Sequence, residues 1–137
     1  MRKNRVSLMV VVLAAVAVVT ACGIEKVSEK KTNDVDFTVV AENEIPKEVS
    51  QIVEERKENT FKVTYSDNQY TYIIVGYGKQ KYDGYSIKVK EVYETKNAIC
   101  VNTEFRGPEE YSSTEVDSYP YIVIKIKYTD KNVVFSE

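Results

Sequence analysis

The segment Tyr70–Tyr77 constrains the fold of this chain more than any other stretch. It reads Tyr-Thr-Tyr-Ile-Ile-Val-Gly-Tyr, so apolar residues occupy both of its alternating faces. A strand with no polar face is typical of the middle of a sheet, which predicts a central strand here. The stretches around it alternate apolar and polar residues with a period of two, as half-buried strands do. They are 61–65, 85–89, 99–105 and 121–128, and a short apolar stretch at 133–135 follows a turn.

One segment has the period of a helix instead. After Pro46, the apolar residues between Ile45 and Val53 recur at helical spacing, with charged residues on the opposite face. This predicts an amphipathic helix of about 12 residues that ends near Asn59, preceded by a short strand at 37–40. The expected fold is α+β and mostly β: a curved antiparallel sheet or a small β-sandwich of five to seven strands, with one N-terminal amphipathic helix packed on it.

The first 21 residues have the pattern of an export signal. A basic start is followed by an apolar run over residues 6–20, which is short for a membrane span. The run ends in Val19-Thr20-Ala21-Cys22, which resembles the lipobox of bacterial lipoproteins, where the cysteine is diacylated and the signal is cut just before it. We therefore expect a signal peptide at 1–21 and a diacylglyceryl group on Cys22. The lipid would hold the protein on the outer face of the cell membrane, a Gram-positive membrane being favoured over an outer membrane.

Charge and composition divide the remainder of the chain. Residues 22–36 carry many charged and few apolar side chains, which predicts a lipidated cysteine followed by a flexible tether. The remaining residues, 37–137, are expected to form one β-rich domain. The whole chain has 19 basic and 21 acidic residues, so its net charge gives no reason to expect nucleic-acid binding.

The composition also narrows the chemistry. There is no histidine, so Ser-His-Asp and Cys-His mechanisms lack their imidazole, and two cysteines are too few for a Cys₄ zinc site. Cys100 has no second free cysteine to activate it and is expected to be a structural thiol. The polar loop 107–118 holds four acidic residues without the spacing of an EF-hand, so we expect them to be solvated rather than to bind calcium. They are Glu109, Glu110, Glu115 and Asp117.

These observations favour a protein with no catalytic residue, no cofactor and no metal. The alternative on the enzyme side is a reaction run by the loop carboxylates alone.

Three segments carry a resemblance to a known family. They are YTYIIVGYG at 70–78, YDGYSI at 82–87 and SYPYIVI at 118–124, with a polar loop containing Pro108 before the last. Together they resemble the C-terminal domain of the PrcB family, over about residues 45–135. In one departure, Tyr82-Asp83 stand where that family has Thr-Gly, whereas Gly84 and Tyr85 match.

The resemblance implies a small accessory domain that associates with a protease and supports its assembly. It also implies that no enzymatic activity, cofactor or metal is attached to the domain.

The 11 tyrosines suggest where a partner would bind. Several fall in or beside the loops 79–85 and 106–120. Tyrosines there can form a recognition surface, and they can equally cap a β core. The candidate partner-binding residues are Tyr77, Lys81, Tyr82, Asp83, Gly84, Tyr85, Tyr111, Tyr119 and Tyr121.

We therefore predict a non-catalytic, membrane-anchored domain that binds or stabilises another exported protein, a protease being one such partner. Binding would use the two loops or an exposed sheet edge. The alternative is a surface lipoprotein that binds a glycan or a small ligand, in an apolar pocket lined by Tyr77, Tyr85 and Tyr121. The sequence leaves open the identity of the partner and the oligomeric state.

Overall fold

The computed structural model describes residues 30–136. The predicted signal peptide, the lipidation site at Cys22 and the start of the predicted tether lie outside the described residues. The described part contains eight strands, a 3₁₀ turn at Glu42–Glu44 and one α-helix. In chain order the elements are β1 (Asn33–Asp34), β2 (Thr38–Val39), α1 (Lys47–Arg56), β3 (Thr60–Ser66), β4 (Tyr70–Tyr77), β5 (Ser86–Glu94), β6 (Ala98–Arg106), β7 (Tyr121–Lys127) and β8 (Asn132–Ser136).

The strands form two four-stranded sheets. The first sheet has the order β1-β5-β6-β8 and is antiparallel except for the parallel pair β6–β8. The second sheet has the order β2-β7-β4-β3 and is antiparallel throughout. The mostly β class with one helix is confirmed, and the described strands do not close into a barrel. The strand count exceeds the predicted five to seven, and α1 follows β1 and β2 rather than opening the domain.

The core lies between the two sheets, and a second cluster lies between the second sheet and α1. Ile73 and Val75 of β4 are fully buried in the core, which also holds Val101 of β6. Ile74 points to the opposite face of β4, where it packs with Val49 of α1. Because β4 is buried from both sides, its sequence needs no polar face, and the prediction of a central strand is confirmed.

The helix ends at Arg56, three residues before the predicted Asn59. Pro46 occupies its N-cap position, and the carbonyl of Pro46 accepts the first helical hydrogen bond, from Ser50. Within residues 30–136, no helix is long and apolar enough to cross a membrane.

The extra strand is β1, which lies inside the stretch that charge content assigned to the tether. Its Asn33 and Asp34 pair with the end of β5, and the Thr32 N–H donates to the Glu94 carbonyl at 2.8 Å. The Asn33 amide also donates to the Glu94 carboxylate at 3.0 Å. A two-residue strand is too short to show an alternating pattern in the sequence, so β1 can be recognised only by its pairing with β5.

Gly76 provides a test of the close packing between β4 and β3. A Cβ added at Gly76 would lie 2.2 Å from the buried Phe61 ring. We expect Gly76→Ala to lower the free energy of unfolding by about 1–3 kcal/mol, because the buried ring or the strand must shift to admit the methyl group. Chemical denaturation measures the loss.

The matched background is Phe61→Leu, which removes the ring. In that background Gly76→Ala should cost much less, because the clash is gone. An equal cost in both backgrounds would show that the ring is not the obstacle.

The pH dependence of stability tests the contact between β1 and the domain. Hydrogen bonds from Lys131 and Asn33 hold the pKa of Glu94 below its ordinary value of 4.5. The stabilisation is therefore complete above that pH and is lost as the pH falls through the folded-state pKa. We expect Glu94→Gln to be less stable than wild type near neutral pH, and the difference to shrink in acid.

Thermal unfolding across the acidic range measures this difference. Glu55→Gln, on the exposed side of α1, is the control and should shift stability little at any pH. A gap between wild type and Glu94→Gln that stays constant into acid would contradict the assignment.

Candidate functional site

The two loops singled out by the sequence meet at one end of the sandwich. β4 ends there, β5 begins, β6 ends and β7 begins, so loops 78–85 and 107–120 are neighbours. Five aromatic rings connect these loops to the core. We call this group the aromatic end; it consists of Tyr77, Tyr82, Tyr85, Phe105 and Tyr111.

Phe105 is the central ring of the aromatic end. It stacks on Tyr77 with ring centroids 4.3 Å apart and on Tyr85 with centroids 5.1 Å apart, both nearly parallel. Tyr111 then meets Tyr85 and Tyr82 edge-on, at 6.4 and 5.2 Å. These are the favoured offset and T-shaped geometries of aromatic pairs. The local sequence pattern places Phe105 only in a strand, because the pairing between strands that brings its ring between two tyrosines cannot be inferred from neighbouring residues.

Polar contacts fix the rings in place. The Tyr77 hydroxyl lies 3.0 Å from the hydroxyl of the buried Thr103. Burial raises the pKa of Tyr85, and its hydrogen bond with the Tyr111 hydroxyl raises that pKa further. The stack is therefore held by packing and by hydrogen bonds at the ring edges.

The two loops also pair with each other through their backbones. Gln80 and Ser118 exchange two N–H to carbonyl hydrogen bonds, at 2.8 and 3.0 Å, and the Val116 N–H donates to the Lys81 carbonyl. Lys79 forms a salt bridge with Asp117 at 3.3 Å. These bonds join the two loops to each other, so the loops present one preformed surface.

Gly84 allows the first loop to turn toward the second. Its φ of +87° is in the region that favours glycine, and a Cβ there would lie 3.0 Å from the Pro108 side chain. The Gly84-Tyr85 pair thus has a structural role.

Some candidate residues reach solvent and others do not. Tyr111 is 59% exposed and Val116, on the same loop, is 46% exposed. Lys81, Asp83 and Gly84 are also exposed, whereas Tyr77, Tyr82 and Tyr85 are half-buried. The structure therefore assigns Tyr77 and Tyr85 mainly to support and places Tyr111 on the surface; Val116 was not among the predicted residues.

Tyr119 and Tyr121 are separate from the ring stack. Tyr121 packs with the cluster beneath α1, whereas Tyr77 packs with the core on the opposite face of the second sheet. Tyr119 lies under the Lys57 ammonium group at 4.8 Å from the ring centroid. Tyr77, Tyr85 and Tyr121 therefore do not line a common pocket. The alternative of a glycan or small-ligand site lined by these three tyrosines thus loses the pocket on which it depended.

The other candidate groups are placed as follows. Glu109, Glu110 and Glu115 are exposed, and no group of three or more acidic or cysteine side chains within residues 30–136 is arranged to hold a metal ion. Cys100 is buried on the outer face of the first sheet opposite Tyr93, and a hydrogen bond with its thiol raises the pKa of Tyr93. Its surroundings are those of a structural thiol.

Two of the strands at the sheet edges carry features that oppose strand addition. On the edge strand β3, the exposed Lys62 pairs with Val75, which places it on the face toward the first sheet, and its ammonium group lies 5.9 Å from the Phe135 ring centroid. β5 has an irregularity between Val89 and Glu91, with the exposed Lys90 between them. Inward-pointing charges and bulges are devices that protect edges from pairing with other chains. Of the two binding surfaces predicted from sequence, the loops are therefore favoured over the edges.

Comparison with protein families confirms the resemblance noted in the sequence. Residues 71–127 match the family model described as PrcB C-terminal. The match is shorter than the expected 45–135; it runs from the second residue of β4 to the end of β7 and contains all five rings of the aromatic end. No curated protein and no solved structure matches the chain significantly.

Replacing Phe105 tests whether the ring stack supports the loops. We expect Phe105→Leu to lower the free energy of unfolding by about 1–3 kcal/mol, because two stacked pairs and their packing are lost. The backbone amides of 78–85 should also exchange with solvent faster, which hydrogen-exchange mass spectrometry measures. Phe37→Leu makes the same substitution at an exposed site and should change neither quantity. Unchanged protection of the loop in Phe105→Leu would argue against the supporting role.

Proposed function

We propose that this protein is a non-catalytic accessory lipoprotein that is anchored through Cys22 and binds and stabilises another exported protein through its aromatic end. A protease is the first partner to test, because a protease-associated role is what the PrcB resemblance implies. The observation that carries the proposal is that the matched segment, 71–127, contains the whole aromatic end.

The geometry of the aromatic end supports binding to a protein surface. Loops that are already joined by Gln80, Lys81 and Ser118 lose little conformational freedom when a partner docks. Tyr111 presents a large ring with one polar atom, a residue type enriched at the centre of protein interfaces. Val116 adds an exposed apolar side chain on the same loop.

The chemistry of the loops supports a binding role over a catalytic one. The side chains of Glu109, Glu110 and Glu115 are exposed on the loop, whereas catalytic groups usually line a concave pocket that excludes water. Asp117 is paired with Lys79.

Substitution of the two exposed side chains tests the proposal. The double variant Tyr111→Ser, Val116→Ser removes them and leaves the Tyr77–Phe105–Tyr85 stack in place. Full-length protein in membranes of the producing bacterium would be cross-linked, purified and analysed for covalently attached exported proteins. We expect recovery of the partner to fall about tenfold or more, because loss of a tyrosine anchor at the centre of an interface costs about 2 kcal/mol and about 1.4 kcal/mol is a tenfold change in affinity.

The matched control is Phe37→Ser with Val39→Ser, which removes an exposed aromatic ring and an exposed valine that lie outside the aromatic end. It should bind like wild type. The abundance and activity of the recovered protein, in cells with and without this chain, show whether the partner is a protease and whether it is stabilised. Equal recovery with wild type and with the double variant would exclude the aromatic end as the binding surface.

A further inference from the structure

The described chain begins at the end of the sandwich opposite the aromatic end. Segment 30–34 lies beside the end of β5, together with the turns at 67–69, 95–97 and 127–131. We call these four segments the anchor-side end. The nine residues of β5 separate the two ends by about 30 Å.

The start of the described chain is held firmly to this end. Lys31 donates to Glu91 at 3.1 Å, and Thr32 binds the Glu94 carbonyl through both its N–H and its hydroxyl. Eight residues then separate Lys31 from Cys22. Even fully extended, the nine residue steps from Cys22 to Lys31 span no more than about 30 Å, so a lipid on Cys22 keeps the anchor-side end near the bilayer.

The two ends differ in charge. The anchor-side end has five basic and three acidic residues, which are Lys30, Lys31, Lys96, Lys127, Lys131, Asp34, Asp67 and Asp130. Loops 78–85 and 106–120 have the reverse, five acidic and three basic residues, which are Asp83, Glu109, Glu110, Glu115, Asp117, Lys79, Lys81 and Arg106.

The carboxylates paired at the strand ends do not remove this asymmetry. Glu91, which binds Lys31, and Glu94, which binds Lys131, balance the charges of the anchor-side end, whereas Glu104, which binds Arg106, leaves six acidic against three basic residues at the loop end.

The exposed side chains of the anchor-side end suit a lipid surface. Tyr128 is 53% exposed and follows the exposed Lys127, while Lys96 is exposed in the neighbouring turn. Tyrosine and lysine are the residues that sit at the headgroup level of membranes, the ring among the headgroups and the ammonium at the phosphates.

We infer that the anchor-side end lies against an anionic lipid surface, so that the aromatic end points away from the membrane and meets its partner about 30 Å above it. This rests on the lipid anchor of the proposed function. The surface potential of an anionic membrane attracts the lysines and repels the acidic loops. It decays within about 10 Å, a third of the distance between the ends, so the two ends experience different fields.

Fluorescence quenching by a headgroup-labelled lipid tests this orientation. The full lipidated chain would be placed in vesicles of phosphatidylglycerol and phosphatidylethanolamine, with a fluorophore on Asn68→Cys or on Ser113→Cys, one exposed residue at each end. Cys100 is buried and stays in place, and labelling of the chain without an added cysteine corrects for it. We expect quenching at position 68 to exceed that at position 113 by about threefold or more.

Charge variants separate the contribution of the lysines from that of the anchor. Lys96→Glu with Lys127→Glu should bring the two quenching values together on these vesicles. The matched control is Lys88→Glu with Lys90→Glu, the same charge change on exposed positions of β5, which should leave the difference in place. For the labelled protein without charge substitutions, vesicles of phosphatidylcholine alone should also reduce the difference in quenching between positions 68 and 113.

Equal quenching at both positions, or stronger quenching at position 113, would overturn the inference. So would a difference that Lys96→Glu with Lys127→Glu leaves intact. A chain that does not float with the vesicles would reject both the lipid anchor and this orientation. Because quenching needs no protein partner, loss of partner binding in the cross-linking experiment would refute the proposed function and leave the orientation standing.

Discussion

The burial of β4 on both faces is the constraint on which the rest of this structure depends. Ile73 and Val75 on one face and Ile74 on the other are fully removed from water, so the strand needs a covering layer on each side. The first sheet supplies one layer and α1 the other. Gly76 belongs to the same arrangement, because the Phe61 ring occupies the space where a side chain would stand.

The same strand positions the candidate site. Tyr77, at the end of β4, continues the face of Ile73 and Val75 and so extends the core to the edge of the sandwich, where Phe105 and Tyr85 stack upon it. The packing of the core therefore fixes the positions of Tyr77 and of the Phe105 ring stacked on it. The proposed binding surface is the far end of that stack, where Tyr111 is exposed to solvent.

The local sequence predicted long, periodic elements well, and it predicted poorly those elements that form only through pairing with another strand. The alternation in β3, β5, β6 and β7 and the helical spacing after Pro46 both correspond to observed elements. β1 was missed because two residues carry no period, and its existence depends on the partner on β5. The grouping of Tyr77 with Tyr121 was wrong for a related reason: Tyr121 pairs with Gly76, one residue from Tyr77, and successive residues of a strand point to opposite faces.

The geometry of the loop also explains why the departure from the family pattern at Tyr82-Asp83 is compatible with an intact aromatic end. Gly84 and Tyr85, which match the pattern, carry the positive φ and the ring stacked on Phe105, so their identity is set by the structure. Asp83 is exposed, and Tyr82 uses its backbone carbonyl to accept the Ser118 hydroxyl, a bond that any residue type offers. Of the two unmatched side chains, Asp83 therefore lies on the rim of the surface, and the Tyr82 ring adds an edge-on contact with Tyr111 to the stack. In the proposed function, a rim position such as Asp83 affects which partner fits rather than whether the loops form.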